Sequence, residues 1–274
     1  MLTMLKRLAS LVPTPATNKV TLFVSDTGIP SYKDDTGLVT PMSGQPIPAG
    51  YIDGLKMEWV SGTQIRFTSG SAYIPSLGRA LALAAAVTKT PTLAANTWYH
   101  NYVYDNAGST DVEVSTTVPA APYNGTARAK TGDSSRRYIG SFRTDGTGAI
   151  ISFLHEGRKI IYRNSWAPSN RFLSGGTSTT PVVVSAAAFA SPISRMLALM
   201  AQATSTNASY SLSTPDDVTG TYAQVINIET APAGGTFTIV TDFPLGTAQQ
   251  LQYSFGSTPN GAAFLNACGY YFDR

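Results

Sequence analysis

Charge is the scarcest commodity in this 274-residue sequence. Asp, Glu, Lys and Arg together make up 13% of it, against about 25% in an ordinary soluble domain. Hydrophobic residues reach 43%, so a sizeable core is within reach. A surface this poor in ions must stay soluble by other means or be buried against partners. Cysteine is nearly absent as well. Cys268, in LNACGYYF, stands alone, which excludes an internal disulfide. Its apolar neighbours predict a small buried side chain rather than a nucleophile, and the lack of disulfides suits folding in a reducing cytoplasm. The histidines are His100 and His155. Two histidines and one cysteine far apart make no zinc-ligand pattern, and neither a metal nor a cofactor is expected. No run approaches the ~20 apolar residues of a membrane span. The start, MLTMLKRLASLV, sets apolar residues on both sides of Lys6 and Arg7, which does not fit a secretory signal. Without such a signal, the glycosylation-type triplets Asn124-Gly125-Thr126 and Asn207-Ala208-Ser209 read as turns.

The net charge of +3 is unevenly spread. Residues 1–127 hold eight basic and eight acidic side chains, residues 128–171 nine and three, and residues 172–274 two and five. The basic middle suggests anions, but its cations are dispersed rather than clustered as on a nucleic-acid-binding face. They read as solvated side chains on strands, and no nucleic-acid partner is expected.

What is present is strand after strand. Residues 1–12 place Met1, Met4, Leu5, Leu8 and Leu11 at helical spacing, which predicts a short amphipathic helix or docking peptide ended by Pro13 and Pro15. KVTLFVS, the turn DTG, IPSY, the turn KDDTG and LVT then predict a small β-meander. Aspartates suit such turns because their carboxylates accept local N–H bonds. Asp26, Asp34 and Asp35 do not follow the spacing of a calcium-binding EF-hand loop. TPMSGQPIPAGY reads as a linker. From Tyr51 onward, short runs rich in aromatic and β-branched residues alternate with turn signals every ~8–12 residues, as in β-sandwiches. RALALAAAVTKT alternates Leu81 and Leu83 and reads as strand despite its alanines. Asp145-Gly146, between YIGSFRT and AIISFL, predicts a two-stranded hairpin. The predicted fold is all-β: an N-terminal attachment segment and linker over 1–48, then two antiparallel β-sandwich or jelly-roll-like domains over 49–164 and 165–274.

No constellation of catalytic residues stands out. There is no Gly-x-Ser-x-Gly elbow. His100, in TWYHNYVYD, reads as a packing residue, and His155 as the end of a strand. Glycoside cleavage needs two facing carboxylates, and Glu58, Glu113, Glu156 and Glu229 show no pair in the linear order. DGTGAII lacks the third glycine of a phosphate loop and joins two strands. The expectation is therefore a chain that is not an enzyme. Aromatics are more suggestive: 14 Tyr, 11 Phe and 3 Trp. Trp98, Tyr99, Tyr102 and Tyr104, beside Asn and Asp, are candidates for stacking on sugar rings or contacting a partner, if they do not simply line the core.

NKVTLFVSDTGIPSYKDDTGLVTPM resembles the N-terminal segment of virion proteins of tailed bacteriophages: tail-fibre, baseplate-associated and other appendage components. LAANTWYHNYVYDNAGSTDVEV with RRYIGSFRTDGTG is similar to a β-domain of the same group, and the closing ACGYYFDR to its aromatic chain ends. The resemblance implies a structural or adhesive part of a phage particle, synthesised and folded in the host cytoplasm, commonly a homotrimer. It would attach to other virion proteins through its N-terminal segment, and a tail-fibre or receptor-binding role would bring it to host-surface glycan or protein. Capsid decoration as a head fibre, or a baseplate role without receptor contact, is the alternative. A surface-polysaccharide depolymerase is the reading from another class; such enzymes often use long parallel β-helices, which this turn-rich chain does not resemble.

Overall fold

The computed structural model describes residues 6–42, 47–164, 168–215 and 222–274. It is all-β: among the described residues every helical element is a short 3-10 turn. The chain divides into two compact units, residues 1–48 and 49–274.

The first unit is the predicted meander. Val20–Ser25, Pro30–Asp34 and Val39–Pro41 pair antiparallel in sequence order. The helix predicted over residues 1–12 is corrected where it is described: Lys6–Arg7 is extended and pairs parallel with Val24 and Ser25, and Ala9–Leu11 is a single 3-10 turn. Met1, Met4 and Leu5 lie outside the described residues, as does 43–46 of the predicted linker. Lys33 Nζ donates to the Val12 carbonyl at 2.8 Å and fastens the leading segment to the sheet.

One turn design is used three times. At 25–29 (SDTGI), 34–38 (DDTGL) and 145–149 (DGTGA), the first residue's N–H bonds the fifth residue's carbonyl, and the glycine N–H bonds the first residue's carbonyl. The first side chain then caps the loop. Asp34 Oδ1 accepts from Thr36 N, Thr36 Oγ1 and Leu38 N at 3.0, 2.7 and 2.9 Å. Asp145 Oδ1 accepts from Thr147 N, Thr147 Oγ1 and Ala149 N at 2.8, 2.7 and 3.0 Å. Ser25 Oγ does the same work for Ile29 N at 3.0 Å. The threonine hydroxyl holds the carboxyls of Asp34 and Asp145 below the usual carboxylate range. The left-handed residue is the glycine in fourth place, Gly28, Gly37 or Gly148, at φ 87°, 86° and 85°. The loop at 145 joins Thr144 to Ile150, which pair antiparallel, so the hairpin predicted at Asp145-Gly146 is there.

The second unit is built from antiparallel sheets around one apolar core running from Leu55 to Phe272. The predicted boundary at 164/165 does not divide it. Lys159–Tyr162, from one predicted domain, pairs with Ala263–Tyr271, from the other. Ala263–Tyr271 also pairs with Met196–Ala203 and Arg171–Gly176, so it lies inside its sheet. Met196–Ala203 is buried at every position after its first, so both its faces are covered and MLALMAQA reads as a continuous apolar run. QLQYSF instead alternates half-buried and buried positions, as a period of two requires. Cys268 is the extra residue of a bulge, since Ala198 pairs with Gly269 and Leu199 with Ala267. The bulge breaks the inward alternation, and Cys268 is half-buried rather than buried as predicted.

Gly269 marks the closest approach of two backbones. A Cβ there would stand 1.9 Å from the Ile160 carbonyl oxygen, so a side chain forces two paired strands apart. Substitution Gly269→Ala is expected to cost about 3 kcal/mol or more, the range of strained or overpacked core changes. Urea unfolding at neutral pH measures it, and a loss below 1 kcal/mol, roughly the Gly-to-Ala propensity difference, would contradict the close approach.

Candidate functional site

The four aromatics singled out in the sequence do not make a binding face. They lie on Trp98–Asn106, an inner strand bonded on one side to Ser109–Ser115 and on the other to Asp133–Arg143. Tyr99 is buried and stacks on Phe142 with ring centres 5.4 Å apart. Tyr102 is fully buried and donates to the Thr117 carbonyl at 2.6 Å. Both are corrected from contact residues to core residues: Tyr99 packs on Phe142 and Tyr102 against Tyr138. Trp98 is half-buried, with its indole N–H given to the Ala187 carbonyl at 2.9 Å and its ring edge-on to Tyr270. Tyr104 is half-buried under the Arg136 guanidinium, 4.0 Å from its ring centre. His100 packs as predicted: buried, its Nδ1 meets Ser141 Oγ at 2.7 Å, and Tyr138 OH reaches the same oxygen at 2.7 Å.

The structure gathers its chemistry elsewhere, around Trp59. A groove of about 490 Å³ is lined by Lys56, Glu58, Trp59, Arg66, Glu156 and Arg163, with His155 in its floor. A second groove of about 410 Å³ shares Trp59 and is lined by Asn96, Arg143, Asp145, Ser152, Asn164 and Asn170. The walls come from Met57–Trp59, from Phe153–Glu156 and from the 145–149 loop. Trp59 is half-buried and fixed at one end by its indole N–H, which donates to the Ile150 carbonyl at 3.0 Å. The Arg163 guanidinium lies 5.7 Å from its ring centre. Glu58 is ion-paired to Arg66 at 2.5 Å.

His155 ties two of these walls. Its Nδ1 accepts from the Met57 N–H at 2.9 Å, and its Nε2 faces the Gly157 carbonyl at 3.1 Å. An imidazole accepting at Nδ1 must carry its proton on Nε2, so the ring is neutral. Burial pushes both His155 and His100 down to about 4.

Glu58, ion-paired to Arg66, and Glu156 line the same groove, which the linear order did not reveal. Trp59 was passed over because EWV looks like any short strand. The one available signal was a tryptophan flanked by a glutamate in a chain with few of either. Among the described residues no three His, Cys, Asp or Glu side chains form a metal-binding group.

No family model and no curated protein matches the chain. Solved structures similar to it include a glycoside hydrolase family 43 arabinoxylan arabinofuranohydrolase from Bacillus subtilis, solved with cellotetraose, at 11% identity and a TM-score of 0.22, covering 92% of this chain and 66% of that one. An exo-β-1,3-galactanase from Phanerochaete chrysosporium is similar at 14% identity and a TM-score of 0.19, covering 91% and 64%. An exo-inulinase from Aspergillus awamori is similar at 9% identity and a TM-score of 0.19, covering 89% and 74%. The chain thus spans about two thirds of the length of the first two. The expectation of a chain that is not an enzyme is corrected by these comparisons, since each of the three is a glycan-cleaving enzyme by name. TM-scores this low transfer neither a fold nor an activity, so the correction withdraws an exclusion and assigns no reaction.

The chain's two histidines are both buried and neutral. Unfolding exposes them to their ordinary value of 6.5, above the folded value of about 4. Their contribution is therefore fully present above pH ~6.5 and is lost progressively as the pH falls toward 4. Urea stability is expected to drop between pH 7 and 5 with an uptake of up to two protons. Ring resonances titrating near 6.5 in the folded protein would contradict this.

Proposed function

We propose that this chain is a component of a bacteriophage particle, of tail-fibre or receptor-binding type, that contacts host-surface glycan through the groove around Trp59. The observation that carries the reading is the composition of that groove. A fixed, half-buried indole offers a face for a sugar ring, and carboxylates, guanidinium groups and asparagine amides surround it to bond hydroxyls. Sites of this kind are shallow and weak singly, and gain strength when many copies act on one particle.

The first unit supports attachment. Its described apolar side chains are buried only at Val12 and Phe23, while Leu11, Val20, Leu22, Leu38 and Met42 are exposed. That surface suits docking on other virion proteins. Self-association as a homotrimer would cover further strand edges.

A second reading rests on Glu58 and Glu156. Two carboxylates lining one groove are the residue types that glycoside hydrolysis uses, and they favour cleavage of the bound glycan.

Purified protein and host-surface polysaccharide test both readings together. Trp59→Ala is expected to weaken polysaccharide binding about tenfold or more, the cost of a lost aromatic anchor. If the protein also releases reducing sugar, Glu58→Gln and Glu156→Gln should abolish release and leave binding largely intact. Wild-type protein that neither binds nor cleaves the polysaccharide would overturn the glycan reading and leave a purely structural role.

A further inference from the structure

In the groove that Trp59 shares with Asn96 and Asp145, Arg143 is the lining cation, and it has no ion pair among the described residues. Arg143 closes the strand Asp133–Arg143 and lines the groove with Asn96, Asn164 and Asn170. Its guanidinium is partly desolvated, and burial lowers its pKa. Its Nε is buried without a hydrogen-bond partner among the described residues, and its side chain forms no ion pair there. Its one close neighbour of note is the Phe189 ring, with the guanidinium carbon 5.8 Å from the ring centre.

The contrast with the other cations of residues 128–171 is informative. Arg136 pairs with Glu113, Arg158 with Asp273 and Lys159 with Asp242. Arg171 donates to Asn266 Oδ1 at 3.0 Å. Arg128 and Arg137 also carry an unpartnered Nε, but each gives another guanidinium N–H to a backbone carbonyl, at 2.9 and 3.1 Å. Of the three, Arg143 alone lines the groove. The carboxylate that shares the groove, Asp145, is engaged at Oδ1 by the three donors of its own turn. A desolvated cation is costly unless an anion meets it, and the planar guanidinium fits a carboxylate or phosphate with two parallel bonds.

We infer that Arg143 is a subsite for an anionic group carried on the glycan, so that the groove prefers acidic over neutral chains. The inference rests on the glycan reading of the groove and adds the class of ligand. Trp59 receives the ring, the asparagine amides bond its hydroxyls, and Arg143 meets one negative oxygen pair. A uronate carboxylate and a bridging phosphodiester offer the same chemistry.

The test compares the full chain's affinity for oligogalacturonate, for the same oligosaccharide with its carboxyls reduced to alcohols, and for poly(glycerol phosphate). Calorimetry should show the acidic oligosaccharide binding about tenfold tighter than its reduced form. Arg143→Gln should erase that difference and leave the reduced form unchanged, whereas Trp59→Ala should weaken both. Arg143-dependent binding of poly(glycerol phosphate) alone would support the subsite with phosphodiester as its anion. Equal binding of charged and reduced chains overturns the assignment of Arg143 while the glycan reading stands. Binding of none of the three probes overturns both. Thermal midpoints report on the folding of each variant. Should Arg143→Gln unfold, Arg143→Met, which keeps the apolar stem and removes the charge, takes its place, because Lys56 and Arg163 lie close by and the native protein alone does not single out Arg143.

Discussion

The second unit depends on one strand. Ala263–Tyr271 bonds Lys159–Tyr162, Arg171–Gly176 and Met196–Ala203, and so joins segments that lie far apart along the chain. Its packing continues beyond its own sheet: Tyr270 OH donates to the Ser141 carbonyl at 2.6 Å, and the Trp98 ring meets Tyr270 edge-on at 5.3 Å. Gly269 lets the strand approach Ile160 where no side chain fits. Without this strand the strands of residues 159–162 and 196–203 would lose their common neighbour.

The shortage of charge takes on meaning against this frame. The cations of residues 128–171 are mostly engaged by partners within the chain: by carboxylates at Glu113, Asp242 and Asp273, by carbonyls at Ala120 and Tyr138, and by aromatic faces at Tyr104 and Trp59. Arg137, read in the sequence as one of a set of solvated side chains, is fully buried. The groove around Trp59 is where several charged side chains meet. The histidine that ties its walls is neutral, so the groove's architecture and its charge are set by different groups.

The sequence made the strands and turns legible and left their partners illegible. Period-two alternation in QLQYSF and the apolar run MLALMAQA announce strands by themselves, and Asp/Thr/Gly turns announce loops. Asp145-Gly146 announced a hairpin, and Asp145 caps its loop through Thr147 and Ala149. Sheet order is another matter. Nothing in TWYHNYVYDN says which strands flank it or that Phe142 and Tyr138 pack on Tyr99 and Tyr102 in the core. The boundary expected at 164/165 failed similarly, because Ile160 pairs with Tyr270 across more than a hundred residues. The site was illegible in the same way. Its walls come from residues 56–60, 96, 143–156, 163, 164, 169 and 170, and Glu58 and Glu156 line one groove only after folding.

The order of the chain sets a constraint on biogenesis. Ala263–Tyr271 follows all three of its partners, so a nascent polypeptide emerges with the strands of residues 159–162 and 196–203 still lacking their central neighbour. Pairing over such separations is slow, and open strand edges recruit other chains. Production of this protein therefore places a demand on the translating cell: those segments must be shielded, by a holding chaperone or by low local concentration, until the bridging segment arrives.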